Sequence, residues 1–352
     1  MFNRIIRIVA TAAGCALLLA GCSLWLDDPA RNPQTDSEAI CFSAGNALLR
    51  DDAKATKADY YDNTSFGVFA FRQSGGTWAQ LATKNWKPDY MFNQEVVHSL
   101  GSAYTYSPTR YWPDPSESSL SFWAYSPYDE NAGLLVSGST STTYTSTSVG
   151  LPDMRFTADG HTDLLYSNVV ADQTFASNSG VVDLAFNHAL SLVDVKAEKL
   201  DEGGLYTVTL EEVSFRGIFA TAILGSSDWT WGNYGGSRQD LPVWDGNTVL
   251  AHGTATPLAG VMPIPQDLSN DACRLHVAFR VSYYEDPLDD STLVEYSTTR
   301  DVYLRDVFNW VGSVWERNKH YTVTIRISPD RPILFTVSWS EWGAEHNYQL
   351  SS

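Results

Sequence analysis

Positive charge is scarce in this chain: 23 Lys and Arg stand against 41 Asp and Glu, for a formal charge of −18. No basic stripe gathers the cations, and the acidic balance repels nucleic acid, which is excluded as a partner. Cysteine is rarer still, with four in 352 residues, too few for a disulfide framework or a Cys/His metal ladder. Long apolar runs are confined to the N-terminus, and long runs at helical spacing are missing, with residues 187–195 as the one short exception. Nucleophile elbows, zincin helices and phosphate loops are absent as well. No carboxylate pair and no nucleophile with its base stands at a recognisable spacing, so neither an enzyme nor a resident metal or cofactor is expected.

The N-terminus carries the sharpest signal. Arg4 and Arg7 precede an apolar run that ends in Leu18, Leu19, Ala20, Gly21 and Cys22. A small pair directly before a cysteine is what a lipoprotein signal peptidase and acyltransferase require. Residues 8–20 fall well short of the roughly 20 needed to span a bilayer. Residues 1–21 therefore read as a signal peptide and Cys22 as the lipidated first residue of the mature protein. Several acyl chains act together there at about 0.8 kcal/mol per buried methylene. Residues 22–58 follow as a leash and a first strand. Their opening stretch, 23–36, is polar, holds two prolines and has no apolar period.

From there the grammar is all-β. Ile40, Phe42 and Ala44 alternate with Cys41 and Ser43; Phe66, Val68 and Ala70 with Gly67, Phe69 and Phe71; Leu120, Phe122 and Ala124 with Ser121, Trp123 and Tyr125. Gly, Pro, Asn and Asp fall between the runs at sandwich-like spacing. Ten of the twelve residues 137–148 are Ser or Thr, which marks a surface loop. Polar residues replace the apolar pattern at 171–180, and this predicts one domain over 59–178 and a second over 179–352. Cys15 leaves with the signal. Cys273 shares a face with Leu275, Val277 and Phe279, so it and Cys41 read as two core thiols, with one disulfide as the alternative.

Four features attract attention, and structure is the first reading of each. Asp159, His161 and Asp163 have the spacing of a solvated turn, and Glu285, Asp286, Asp289 and Asp290 that of a hairpin tip around Pro287. His188 reads as a satisfied structural imidazole. Trp229, Trp231 and Tyr234 sit among glycines, as sugar-stacking rings do, although most tryptophans in so aromatic a chain fill cores.

Several separated stretches together resemble the fimbrillin family of pilus subunits and fimbrial accessory lipoproteins of Gram-negative anaerobes. They are the lipobox; residues 40–42 with Thr56, Lys57 and Ala58; 66–71; Tyr111, Trp112 and Pro113 before LSFWAYSP at 120–127; and 163–166. The second half adds VDLAFNHALSLVDV at 182–195, MPIPQ at 262–266, and Trp315, Asn318 and Tyr321 before Thr324 and Ile325. The resemblance implies two tandem β-sandwich domains of transthyretin-like Greek-key build, displayed at the cell surface from a lipid anchor in the outer membrane. It also implies other pilus subunits as partners and a surface receptor in adhesion. In polymerising members a protease cuts after a basic residue behind the first strand, and the emptied groove takes a strand from the next subunit. On this chain that makes Ile40, Phe42 and Ala44 the inward residues of a removable strand. Arg50, followed by Asp51, becomes the cleavage site, with Lys54 and Lys57 as alternatives. A minor or anchor subunit keeps its lipid. The alternative function is a monomeric, glycan-capturing surface lipoprotein.

Overall fold

The computed structural model describes residues 38–45, 65–82, 86–98, 104–136, 140, 142–147, 149–201 and 205–342. Cys22, Arg50, Asp51, Lys54 and Lys57 lie outside the described residues.

Strands dominate, as the alternation requires. The first sheet is built from β1 (Cys41–Gly45), β2 (Ser65–Gln73), β3 (Met91–Val97), β4 (Ser119–Ser126), β6 (Leu165–Ser167), β7 (Val170–Gln173) and β8 (Val181–His188). Its order is β1-β8-β6-β4-β2-β3, with β7 also bonded to β4. β1 runs parallel to β8, and the other pairs are antiparallel. The sheet rolls on itself, because Phe42 of β1 meets Phe66 of β2 and Phe122 of β4 although two or three strands intervene in the pairing order. The core enclosed by the roll takes one alternate set from each strand: Phe66, Val68 and Ala70, then Leu120, Phe122 and Ala124, then Val182, Leu184 and Phe186. The opposite set, Phe69, Phe71, Trp123 and Tyr125, is buried too, against Trp78, Trp86, Phe92 and Tyr144 of the same half and in one cluster with Leu224, Ile264 and Trp342 of the second. Aromatics on both faces of β2 and β4 follow from this double burial.

The second half is a sandwich. One sheet orders β13 (Gln239–Val249), β10 (Tyr206–Ile218), β15 (Arg274–Tyr284) and β16 (Leu293–Tyr303); the other orders β14 (Thr256–Val261), β9 (Leu192–Lys199), β17 (Lys319–Ile327) and β18 (Leu334–Glu341). Val195, Val208, Phe215, Val277, Phe279, Val323 and Ile325 fill the space between them. A fourth, small sheet joins the halves: β5 (Met154–Thr157) from the first pairs with β11 (Thr221–Gly225) of the second, which pairs with β12 (Thr230–Gly235).

Two sequence expectations meet a different geometry here. A division at 178/179 would cut β8 from β1 and β6, both of which it hydrogen-bonds. The polar stretch before it is a turn of helix, Phe175–Asn178, followed by left-handed Ser179 and Gly180, so the composition change marks a turn inside the first unit. The sheets change at residues 189–191 instead, where Ala189 N bonds Leu164 O and Ser191 N bonds Pro263 O. Residues 187–195 are correspondingly strand, turn and strand rather than a helix. Their helical spacing arises because the apolar residues of two strand ends face different cores.

Candidate functional site

Ile40, Phe42 and Ala44 turn inward, as alternation places them, and are 1, 6 and 2 % exposed. Among the described residues β1 has only β8 as a strand partner, in the register Cys41↔Val181 to Gly45↔Ala185, and Ser43 Oγ donates to Asp183 Oδ1 at 2.7 Å. The strand is thus an edge strand whose side chains nevertheless help close the roll. The Phe42 ring meets Phe66, Tyr106 and Phe122 edge-on, with centroids 6.4, 5.4 and 6.0 Å away. Such contacts add about 0.5–1.5 kcal/mol per pair beyond burial.

Just before β1 the backbone has a second neighbour. Ile40 N donates to Arg110 O and Trp112 N donates to Glu38 O, both at 2.9 Å, with Ala39 bridged to Tyr111. The Tyr106 hydroxyl donates to Ile40 O at 2.8 Å and accepts from Arg110 N at 3.2 Å. Burial pushes this phenol up to about 12, so it remains a protonated donor throughout the physiological range. Gly180 O accepts from Cys41 N at 3.0 Å and from the Trp112 indole N–H at 3.2 Å, which ties the 110–112 segment, β1 and the turn before β8 to one carbonyl.

A second constellation lies where the halves meet. Asp163 and His188 are both buried, with Oδ2 and Nδ1 2.6 Å apart, and Trp342 stacks flat on the imidazole at 3.8 Å. Burial pushes the Asp163 carboxyl up, against the pull of His188. His188 is the satisfied imidazole that its place on a strand end suggests.

The other sequence candidates resolve as structure. Asp159 accepts from the backbone N–H groups of His161 and Thr162 at 2.8 and 2.7 Å in a closed turn, while Asp163 faces His188. Asp286 and Asp289 bind their own turn at Leu288 and Ser291, between β15 and β16. Among the described residues no group of three or more His, Cys, Asp or Glu is placed to hold a metal ion. Trp229 stacks on Tyr166 at 4.0 Å, the Trp231 indole donates to Ala189 O, and the Tyr234 hydroxyl donates to Pro265 O. Each ring thus has a packing or hydrogen-bonding partner, while Trp229 and Trp231 stay half-buried and Tyr234 exposed. Cys273 is a buried free thiol 3.1 Å from an Arg238 Nη1, so no bridge joins it to Cys41; Cys41 is half-buried and itself disulfide-bonded, and so is not the second core thiol that the sequence suggests.

Sequence reasoning missed Tyr106 and Trp112 as partners of β1. They sit in and beside SPTRYWPDP, a proline-rich run without period, and the contact is made across some 70 residues of chain. It also missed Tyr144, which dips from the Ser/Thr loop into the core between Phe69 and Phe92.

Comparison with known proteins agrees with this architecture. A solved fimbrial protein from Bacteroides vulgatus superposes with a TM-score of 0.66 at 17 % identity, over 87 % of this chain and 99 % of that one. A Bacteroides uniformis structure named for cell adhesion superposes with a TM-score of 0.52 at 13 % identity, over 87 % and 97 %. The fimbrium subunit Fim1C of Phocaeicola vulgatus is 27 % identical over 190 residues, half of this chain; the match spans 47 %, about half, of that relative's length. The fimbrillin-like family model matches residues 53–342. On that match the chain belongs to the fimbrillin-like family.

Proposed function

We propose that the protein is a structural or accessory subunit of a surface pilus, lipidated at Cys22, assembled by strand exchange at the β1 groove and serving adhesion. The observation that carries this reading is the dual character of β1. Among the described residues it is a five-residue edge strand paired only to β8, yet with Ile40 before it it supplies three buried side chains to the core. An edge strand is replaceable without tearing the middle of a sheet. Buried side chains make its replacement specific, since an empty groove exposes Phe66, Phe122 and the outward backbone of β8. The family and the fimbrial fold relatives point to pilus partners in the same direction. Cleavage after Arg50 would free Cys22 together with β1, and the lipid would then hold the subunit unassembled until it reached the surface.

Mass spectrometry of surface material tests this. The expected result is a mature N-terminus at Asp51 in polymer and at Cys22 in uncut monomer. Cys22 as the sole N-terminus in both fractions overturns the processing step.

A further inference from the structure

The backbone before and within β1 is held in two different ways. Residues 41–45 have one ladder, to β8. Residues 38–40 are gripped from the other side by 110–112 through the Ile40 N–Arg110 O and Trp112 N–Glu38 O bonds, and from above by the Tyr106 hydroxyl on Ile40 O. Gly180 O, shared by Cys41 N and the Trp112 indole, sits where the two grips meet. Side chains differ along the strand in the same sense. Phe42 fills apolar space bounded by Phe66, Tyr106 and Phe122, Ile40 is buried in the same cluster, and Ala44 brings a small buried side chain to the third position.

We propose that residues 104–112 form a latch that keeps β1 seated after the chain is cut behind it, and that the slot selects an extended segment of a second chain carrying a branched aliphatic, an aromatic and a small side chain at alternate positions. The proposal rests on the strand-exchange reading and adds to it a direction and a code. Separation starts at Gly45, where one ladder holds the strand, and ends at Ile40, where two grips hold it. An incoming segment therefore pairs first beside Ala185 and Leu184 of β8 and displaces the resident residue by residue toward Tyr106. The cut strand does not leave an open groove behind, because the latch holds it until a competitor has already bound. Period-two spacing lets any segment with the right alternate residues fill the same three positions.

The test uses full-length protein nicked between β1 and β2 by an arginine-specific protease, with the nick located by mass spectrometry. The probe is a fluorescent synthetic peptide with the sequence of residues 38–45 carrying Cys41→Ser. The nicked parent is expected to retain its N-terminal fragment through gel filtration and to release it on uptake of the peptide. A peptide with Phe42→Ala should be taken up at least about tenfold less well. Tyr106→Phe protein, which keeps the ring and loses the bond to Ile40 O, should exchange about fivefold faster. Tyr125→Phe, which removes a buried hydroxyl bonded to Asn93 on the other face of β4, is the control for a general loss of stability and should exchange at the parent rate. Equal rates for Tyr106→Phe and parent, or equal uptake of the two peptides, overturn the latch or the code while strand exchange stands. Uptake of neither peptide by any nicked protein overturns strand exchange and this inference together.

Discussion

Phe42 is the one aromatic that residues 38–45 bury, and it is buried from the sheet's edge. In the uncut protein Phe42→Ala leaves a space between Phe66, Tyr106 and Phe122 that the rolled sheet cannot collapse into. Urea unfolding should show a loss of about 3 kcal/mol. His188 holds a comparable place at the junction of the halves. His188→Ala takes the imidazole from the buried Asp163 carboxyl and the stacked face from Trp342, and a loss of about 3 kcal/mol is expected by the same measurement. The two residues differ in how far local sequence betrays them. Phe42 falls in a period-two run, and its burial follows from the run alone. His188 follows Phe186 by two, so its strand face is readable. Its partners Asp163 and Trp342 come from 25 and 154 residues away, and only the assembled fold brings them together. The same holds for Tyr106, whose proline-rich surroundings carry no alternation from which a side chain's direction can be read.

At the scale of elements, strands with one buried face were legible and the boundary was not. β8 reads as Val182, Leu184 and Phe186 alternating with Asp183, Ala185 and Asn187, small or polar residues, which is what a strand shows whichever sheet it joins. Its pairing to β1 and β6 depends on the turn at Phe175–Asn178 folding back, and composition reports only that the turn is polar. The small sheet of β5, β11 and β12 was unreadable for a related reason: four residues of the first half, Met154–Thr157, find their partner in the second. That sheet and the apolar cluster of Phe69, Trp123, Leu224, Ile264 and Trp342 make the halves cooperative. Calorimetry should therefore record one unfolding transition for the intact protein. Trp231→Phe, which removes the indole bond to Ala189 O in the turn between the halves, should lower its midpoint without splitting it. Two resolved transitions in the intact protein would contradict the shared core.

For the whole molecule, acid is the informative variable. Hydrogen bonds within their own turns hold Asp114, Asp228, Asp267 and Asp289 below the usual carboxylate range, through Ser116, Thr230, Ser269 and Ser291. Their unfolded forms bind protons first, so the stability they add is present above about pH 4 and is lost as pH falls through their depressed values. Asp163 runs the other way: burial raises it, and its share is greatest in acid and lost as pH rises through its folded value. Asp159, Glu212 and Asp330 are held low as well, so the lowered carboxyls outnumber the raised one and the urea midpoint should fall between pH 5 and pH 3; an unchanged midpoint would show that these groups are held no more tightly folded than unfolded. The joint between the halves has a further, mechanical meaning. Because β5 is hydrogen-bonded to β11 side by side and antiparallel, a pull that separates the two halves along those strands loads the bonds in shear, several at once. If such subunits join by the strand exchange proposed above, their fibre would stretch little before a whole subunit gave way, and the exchanged strands, rather than a hinge inside each subunit, would set its compliance.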